Sequence, residues 1–250
     1  MCATDVTNNV PMSRPDKVLA IHDMQCGHGA TFAALRGGRI LLSAGRFRVS
    51  DDGGITWGRW YDGIDEGGEP VRGVCMVSLG DGAIGMASQR VRPGAANRQE
   101  TELLFRRSEG EGKTWSPAVV MNQCLLRAHA LQDTMLRTAS GRLIQPVYMG
   151  IGQGLFHQED MPFVGGYLKG NFVSTDAHFY DPHFSASYVL YSDDEGQTWQ
   201  PSHNGELFVV LDEVSAFHGA PEPSVVEVEP GRLMMIVRTR LGRLFQAFSE

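Results

Sequence analysis

Short apolar segments recur in pairs along the chain, each pair broken by a turn dipeptide. Residues 30–35 and 39–44 flank Gly37-Gly38, and residues 73–79 and 83–88 flank Asp81-Gly82. Residues 135–138 and 143–147 flank Ser140-Gly141, and residues 224–228 and 233–238 flank Pro230-Gly231. Apolar runs of this length bounded by glycine turns predict antiparallel strand pairs. A third strand-like segment follows each pair, at 46–49, 102–107, 187–191 and 244–248. Three of these third segments run into one recurring pattern. It reads Ser50-Asp51-Asp52-Gly53-Gly54-Ile55-Thr56-Trp57, then Ser108-Glu109-Gly110-Glu111-Gly112-Lys113-Thr114-Trp115, then Ser192-Asp193-Asp194-Glu195-Gly196-Gln197-Thr198-Trp199.

The shared form is S-x-[D/G/E]-x-G-x-T-W, and it holds three of the four tryptophans in one register. Its physics is that of a hairpin turn. Short acidic side chains cap backbone N–H groups, glycine takes a positive-φ position, and the tryptophan supplies a large apolar anchor. The second copy has Gly110 in place of an aspartate, which predicts a weaker turn. The acidic residues lack the spacing and closing glutamate of an EF-hand calcium loop, so a structural role is expected. Each unit thus reads strand, tight turn, strand, connection, strand, acidic turn, and a last strand after the tryptophan. Four-stranded units in series are the sequence form of a β-propeller.

Composition fits this reading. Glycine makes up 30 of 250 residues, with no collagen period. The formal charge of −7 argues against a nucleic-acid partner, which calls for a basic face. No apolar run is long enough to span a bilayer as a helix. The first residues lack the basic start and apolar middle of a secretory signal, so the chain as written reads as cytoplasmic. Cys2, Cys26, Cys75 and Cys124 form no C-x-x-C pair, which predicts reduced thiols and no metal; no cofactor is expected. The expected organisation is an N-terminal segment, 1–27, followed by one propeller domain, 28–250.

Propeller connectivity also predicts where chemistry gathers. With the acidic turns on one face, the inner-strand starts and the second-to-third connections lie on the other, around the axis. That places His28, Arg72, His129, Asp133 and Glu222 at inner-strand starts and Arg238 at the end of a second strand. Carboxylates, arginines and histidines on one rim suit an acidic sugar. The connection 150–186 leaves the same face and is long, carrying His157, Tyr167, His178, Tyr180 and His183. Its length suggests either a substrate wall or a plain insertion.

The S-x-D-x-G-x-T-W turn resembles the Asp-box, or bacterial neuraminidase repeat, of the sialidase superfamily. The segments from Glu222 to Val228 and from Gly231 to Thr239 resemble the sialidase stretch in which a glutamate opens one strand and an arginine ends the next. The stretch from Asp133 to Pro146 is similar to the inner hairpin of bacterial sialidase-like proteins. The resemblance implies an all-β, six-bladed propeller, of which about four blades fall within this chain. It implies Glu222 as the base for a tyrosine nucleophile, Arg238 as one of the arginines that clamp a carboxylate, and Asp133 as general acid or hydroxyl ligand. Arg72, His129 and His28 are candidate substrate contacts.

One departure stands out. The first inner strand reads Gly27-His28-Gly29-Ala30-Thr31-Phe32, without the arginine of the family's R-I-P motif. By the resemblance, the third arginine and the nucleophile belong to blades beyond Glu250, and the chain reads as a fragment with an open edge. The leading expectation is an exo-α-sialidase-type glycoside hydrolase acting on an acidic glycan. The alternatives are a hydrolase or lyase on another acidic-sugar glycan, or a non-catalytic binding propeller.

Overall fold

The computed structural model describes residues 29–94, 101–122, 128–130, 134–151, 165–168, 171–174, 184–202, 222–238 and 243–249. In chain order, the first sheet holds β1 (Thr31–Ala34), β2 (Ile40–Ser43) and β3 (Phe47–Ser50). Two short strands follow, β4 (Gly63–Asp65) and β5 (Pro70–Val71). The second sheet begins with β6 (Cys75–Ser78), β7 (Ile84–Val91) and β8 (Thr101–Ser108). Next come β9 (Thr114–Trp115), which pairs in parallel with β4, and β10 (Val119–Val120), which completes the second sheet. The third sheet holds β11 (Leu136–Arg137) and β12 (Leu143–Ile151). A hairpin of β13 (Gly165–Leu168) and β14 (Asn171–Ser174) stands inside the long connection. The third sheet then closes with β15 (Phe184–Ser192) and β16 (Gln200–Pro201). The last sheet is β17 (Ser224–Glu229), β18 (Arg232–Val237) and β19 (Phe245–Phe248).

All pairings within these principal sheets are antiparallel, in sequence order. Every predicted pair and third strand in the described residues forms. The predicted fourth strand forms in the second and third sheets as β10 and β16. In the first sheet it shrinks to one bridge, Phe47 with Tyr61. There the chain is diverted: Trp57 and Trp60 both face the Arg48 guanidinium, and the chain then turns outward into β4. Among the described residues the helical structure is one 3-10 turn, Arg36–Gly38, which is itself the first hairpin turn.

The acidic turns show why their residues recur. In the first, Ser50 Oγ donates to Asp52 Oδ1 at 2.8 Å and accepts from Gly54 N at 2.7 Å. Asp52 also accepts from Thr56 N at 2.8 Å and Thr56 Oγ1 at 2.6 Å. Trp57 Nε1 closes the turn on Gly54 O at 3.2 Å. The third turn repeats each of these bonds, with Ser192, Asp194, Gly196, Thr198 and Trp199 in the same roles. Both carboxylates are therefore consumed inside their turns, a structural use. The second turn keeps the serine and tryptophan bonds but has no carboxylate at Gly110. A neighbour compensates: Arg39 forks onto Glu111, and Tyr61 Oη donates to Glu111 O at 2.6 Å.

The tryptophans join sheets. Trp115 packs on Phe47 of the first sheet with ring centres 5.5 Å apart, and Trp199 packs on Phe105 of the second at 5.2 Å. The core accordingly lies between sheets. One cluster, with Leu41, Phe47, Ile84, Met86 and Trp115, fills the first gap. Another, with Cys75, Leu103, Phe105, Leu143, Tyr188 and Leu190, fills the second. The turn glycine serves twice here. Gly196 has φ +90, and a Cβ placed on it would collide with the Phe105 ring.

Two outcomes are expected. Gly196→Ala must strain a left-handed backbone and displace Phe105, costing about 2–5 kcal/mol. For a chain of this size that lowers Tm by roughly 5–15 °C, read by thermal unfolding; an unchanged Tm would contradict the packing argument. The second concerns acid. The Thr56 hydroxyl, the Thr56 N–H and the Ser50 hydroxyl together hold the Asp52 carboxyl down to about 2, from 3.8. A depressed folded-state value stabilises above the unfolded one and loses that contribution as pH falls through the folded value. The contribution of Asp52 is therefore complete above about pH 4 and gone below about pH 2. NMR titration of the Asp52 carboxyl checks it, and a midpoint near the ordinary value would refute it.

Candidate functional site on the face opposite the acidic turns

Because each second strand runs away from its hairpin turn, its far end lies on the face opposite the acidic turns. Gly45, Gln89, Tyr148 and Arg238 each stand seven residues after the turn glycine of their sheet, Gly38, Gly82, Gly141 and Gly231. These four positions and their cross-strand partners build the rim.

At the last sheet, Glu222 and Arg238 face each other across the open end of β17 and β18. Arg238 Nη1 donates to Glu222 Oε2 at 2.5 Å. The side chains are 31% and 49% exposed, so the pair itself contributes at most about 1 kcal/mol to stability. Glu222 sits at φ +58, a left-handed conformation that costs a non-glycine residue on the order of 1 kcal/mol. Backbone strain held at a charged rim residue is a mark of functional sites.

Tyr148, in the second half of β12, is half-buried and lies within electrostatic reach of this pair. Burial pushes its phenol up, the Glu222 charge adds to the rise, and Arg238 offsets part of it. His129 lies over Tyr148, with ring centres 5.5 Å apart, and exchanges backbone hydrogen bonds with it at 2.8 and 3.0 Å. Its Nδ1 is 2.9 Å from Gln89 Nε2 at the end of β7. Gln89, His129 and Tyr148 therefore form one run of contacts between the second and third sheets, and charge links Tyr148 to the Glu222–Arg238 pair of the last sheet.

Arg72, after β5, is exposed and makes no hydrogen bond or ion pair among the described residues. Its guanidinium extends toward Gly45, reaching 4.0 Å from where a Cβ there would stand. Nearby on the second sheet, Arg90 and Arg92 share the single carboxylate of Glu102. His28 and Asp133 lie outside the described residues, as do His157, His178, Tyr180 and His183. Of Tyr167 only the strand position, in β13, is described.

The structure therefore pairs Glu222 with Arg238, sets Tyr148 between His129 and the charges of that pair, and leaves the Arg72 guanidinium near Gly45. Sequence reading missed Tyr148 and Gln89. The signal was present, since both occupy the register position of Arg238, seven residues past a turn glycine. A phenol and an amide attract less notice than an arginine.

The third acidic turn, residues 190–201, matches the BNR/Asp-box repeat family. No curated protein matches the chain in sequence. Similar solved structures include a protein of unknown function from Dyadobacter fermentans, 20% identical, with a TM-score of 0.56 over 88% of this chain. A Hadza microbial sialidase is 15% identical, with a TM-score of 0.54 over 88%. An α-L-arabinofuranosidase from Fusarium graminearum is 11% identical, with a TM-score of 0.51 over 88%. At these identities the likeness establishes the fold alone: an all-β assembly of the β-propeller type. The chain spans 64%, 43% and 62% of those three proteins, less than two thirds of each.

The electrostatic link between the last two sheets gives a direct expectation. Glu222→Gln removes a negative charge and lowers the titration midpoint of Tyr148, whereas Arg238→Met raises it. Phenolate absorbance during alkaline titration, with Tyr148→Phe to assign the signal, reads both. Shifts of the same sign in the two variants would show that neither charge acts on this phenol.

Proposed function

We propose that this Asp-box propeller is part of a glycoside hydrolase of the exo-α-sialidase type, releasing a terminal acidic sugar from a glycan. One observation carries the reading: a strained glutamate and an arginine in 2.5 Å contact at the end of an inner hairpin, beside a half-buried tyrosine. A non-catalytic binding propeller has no need of a carboxylate and a guanidinium converging in this way. The match of residues 190–201 to the Asp-box repeat and the glycosidase folds similar to the chain support the same class.

In this reading each group has one task. Arg238 presents a planar fork that suits a sugar carboxylate, and it neutralises Glu222 until the ligand arrives. When a substrate carboxylate takes over that guanidinium, the Glu222 carboxylate is released to accept a proton at Oε2 as general base. Tyr148 and His129 form the wall toward the second sheet. Arg72 adds a second cation on the approach to the rim, with His28 and Asp133 as further proposed contacts. Asp133 is the proposed general acid. The nucleophile implied by the family is a tyrosine, in place of the paired carboxylates of most glycosidases.

A second acidic substrate class has its own support. The first inner strand has no arginine at the R-I-P position, and the exposed Arg72 guanidinium instead reaches toward Gly45 at the end of the first sheet's second strand. That distribution also suits a glycan of another uronic or ulosonic acid.

The test uses the complete gene product. With fluorogenic sialosides, Glu222→Gln is expected to lower kcat by about 10²- to 10⁴-fold, and Arg238→Lys to raise KM through loss of the fork. An acidic-polysaccharide panel run in parallel separates the two substrate classes. Full activity in Glu222→Gln, or no turnover on either substrate set, sinks the hydrolase reading.

A further inference from the structure

Residues 128–130 cross from the second sheet to the third and are held from both sides. Ala128 N donates to Thr101 Oγ1 at 3.3 Å, and that hydroxyl donates to Ala128 O at 2.7 Å. His129 exchanges two backbone bonds with Tyr148. Ala130 N donates to Gln89 Oε1 at 3.3 Å. This last bond fixes the orientation of the Gln89 amide, because a backbone N–H requires an acceptor opposite it. The atom left facing His129 Nδ1, at 2.9 Å, is then the amide nitrogen. An amide nitrogen only donates, so Nδ1 must accept and carries no proton.

We propose that Gln89 is a positioning residue that locks His129 in the Nε2–H tautomer, giving the seam between the second and third sheets a neutral hydrogen-bond donor beside the Glu222–Arg238 pair. Protonating Nδ1 would set two N–H groups against each other. It would force the amide to rotate and forfeit its bond from Ala130. Among the described residues, three sheets contribute groups near the ring. On the third sheet is Tyr148, whose burial keeps its phenol protonated at neutral pH. Behind it on the last sheet stand Glu222 and Arg238, whose charges offset one another there. On the second sheet, beyond Gln89, Arg90 is paired with Glu102.

The consequence for turnover rests on the glycosidase reading, while the tautomer does not. A neutral donor suits a sugar hydroxyl or glycosidic oxygen. An imidazolium would instead compete with Arg238 for the substrate carboxylate.

The experiment is a two-bond proton–nitrogen correlation spectrum of the ¹⁵N-labelled full chain near neutral pH. His129 is assigned by the signals lost in His129→Asn. The expected result is a pyridine-type Nδ1 and a pyrrole-type Nε2. Gln89→Glu places a pure acceptor against Nδ1, so the proton should move to Nδ1 and the imidazolium should persist to a pH higher by about one unit or more. A pyrrole-type Nδ1 in the unmodified chain overturns the proposal, as does an unchanged tautomer in Gln89→Glu. The wild-type spectrum decides alone if that variant fails to fold. If no glycan is turned over yet the Nε2–H signature is present, the glycosidase reading fails and the lock stands.

Discussion

The contact on which the architecture depends is the packing of the second and third acidic-turn tryptophans on a phenylalanine of the sheet before. Trp115 lies on Phe47, and Trp199 on Phe105. Each phenylalanine stands three residues before its own turn serine, Ser50 or Ser108, so the same joint recurs from sheet to sheet. An isolated small sheet cannot bury both its faces. The joint solves this by sharing one aromatic cluster between two sheets, and both core clusters contain one of these pairs. Every other element of the turn supports that placement. Ser50, Asp52 and Thr56 fix the loop so that Trp57 leaves it in a set direction, and Gly112 and Gly196 leave room for the preceding sheet's ring.

Charged residues reinforce the same joints on the acidic-turn face. Arg39 of the first sheet forks onto Glu111 of the second. Arg137 of the third sheet binds Glu195, which also accepts from Gly80 N of the second. Glu227 of the last sheet accepts from Ala139 N of the third at 2.6 Å. Most of these groups are partly exposed, so each tie contributes little alone. Their effect is to set sheet orientation where the hydrophobic gap is thin. Because this face is committed to holding sheets together, the opposite face is where chemistry can collect.

On that opposite face the strands end rather than turn tightly, and their last side chains are free to differ. The same register position holds Gly45, Gln89, Tyr148 and Arg238. A repeated scaffold thereby presents unlike groups around one axis, which is how a single propeller fold serves many sites. The glutamate opposite Arg238 is held in a left-handed backbone conformation.

Much of this was legible in the sequence. Strand pairs, acidic turns and the weaker second turn follow from local rules, because turn chemistry and strand propensity act within about ten residues. Glu222 and Arg238 were legible for the same reason, lying at opposite ends of one hairpin. The bond between them, the contact of His129 with Gln89 and the placement of Tyr148 were decided by the tertiary structure. The Glu222–Arg238 bond closes within one hairpin, 16 positions apart, but the Gln89–His129 and Tyr148–Glu222 links join residues 40 or more positions apart, across separate sheets, and no local pattern encodes which strand ends meet. The diversion of the first sheet's fourth strand into β4 is of the same kind, since the partners that draw it away belong to the second sheet's turn. The sequence by itself determined a series of sheets with one structural face. Tertiary packing alone decided which side chains share the other face, because that depends on the angle at which each tryptophan sets the next sheet.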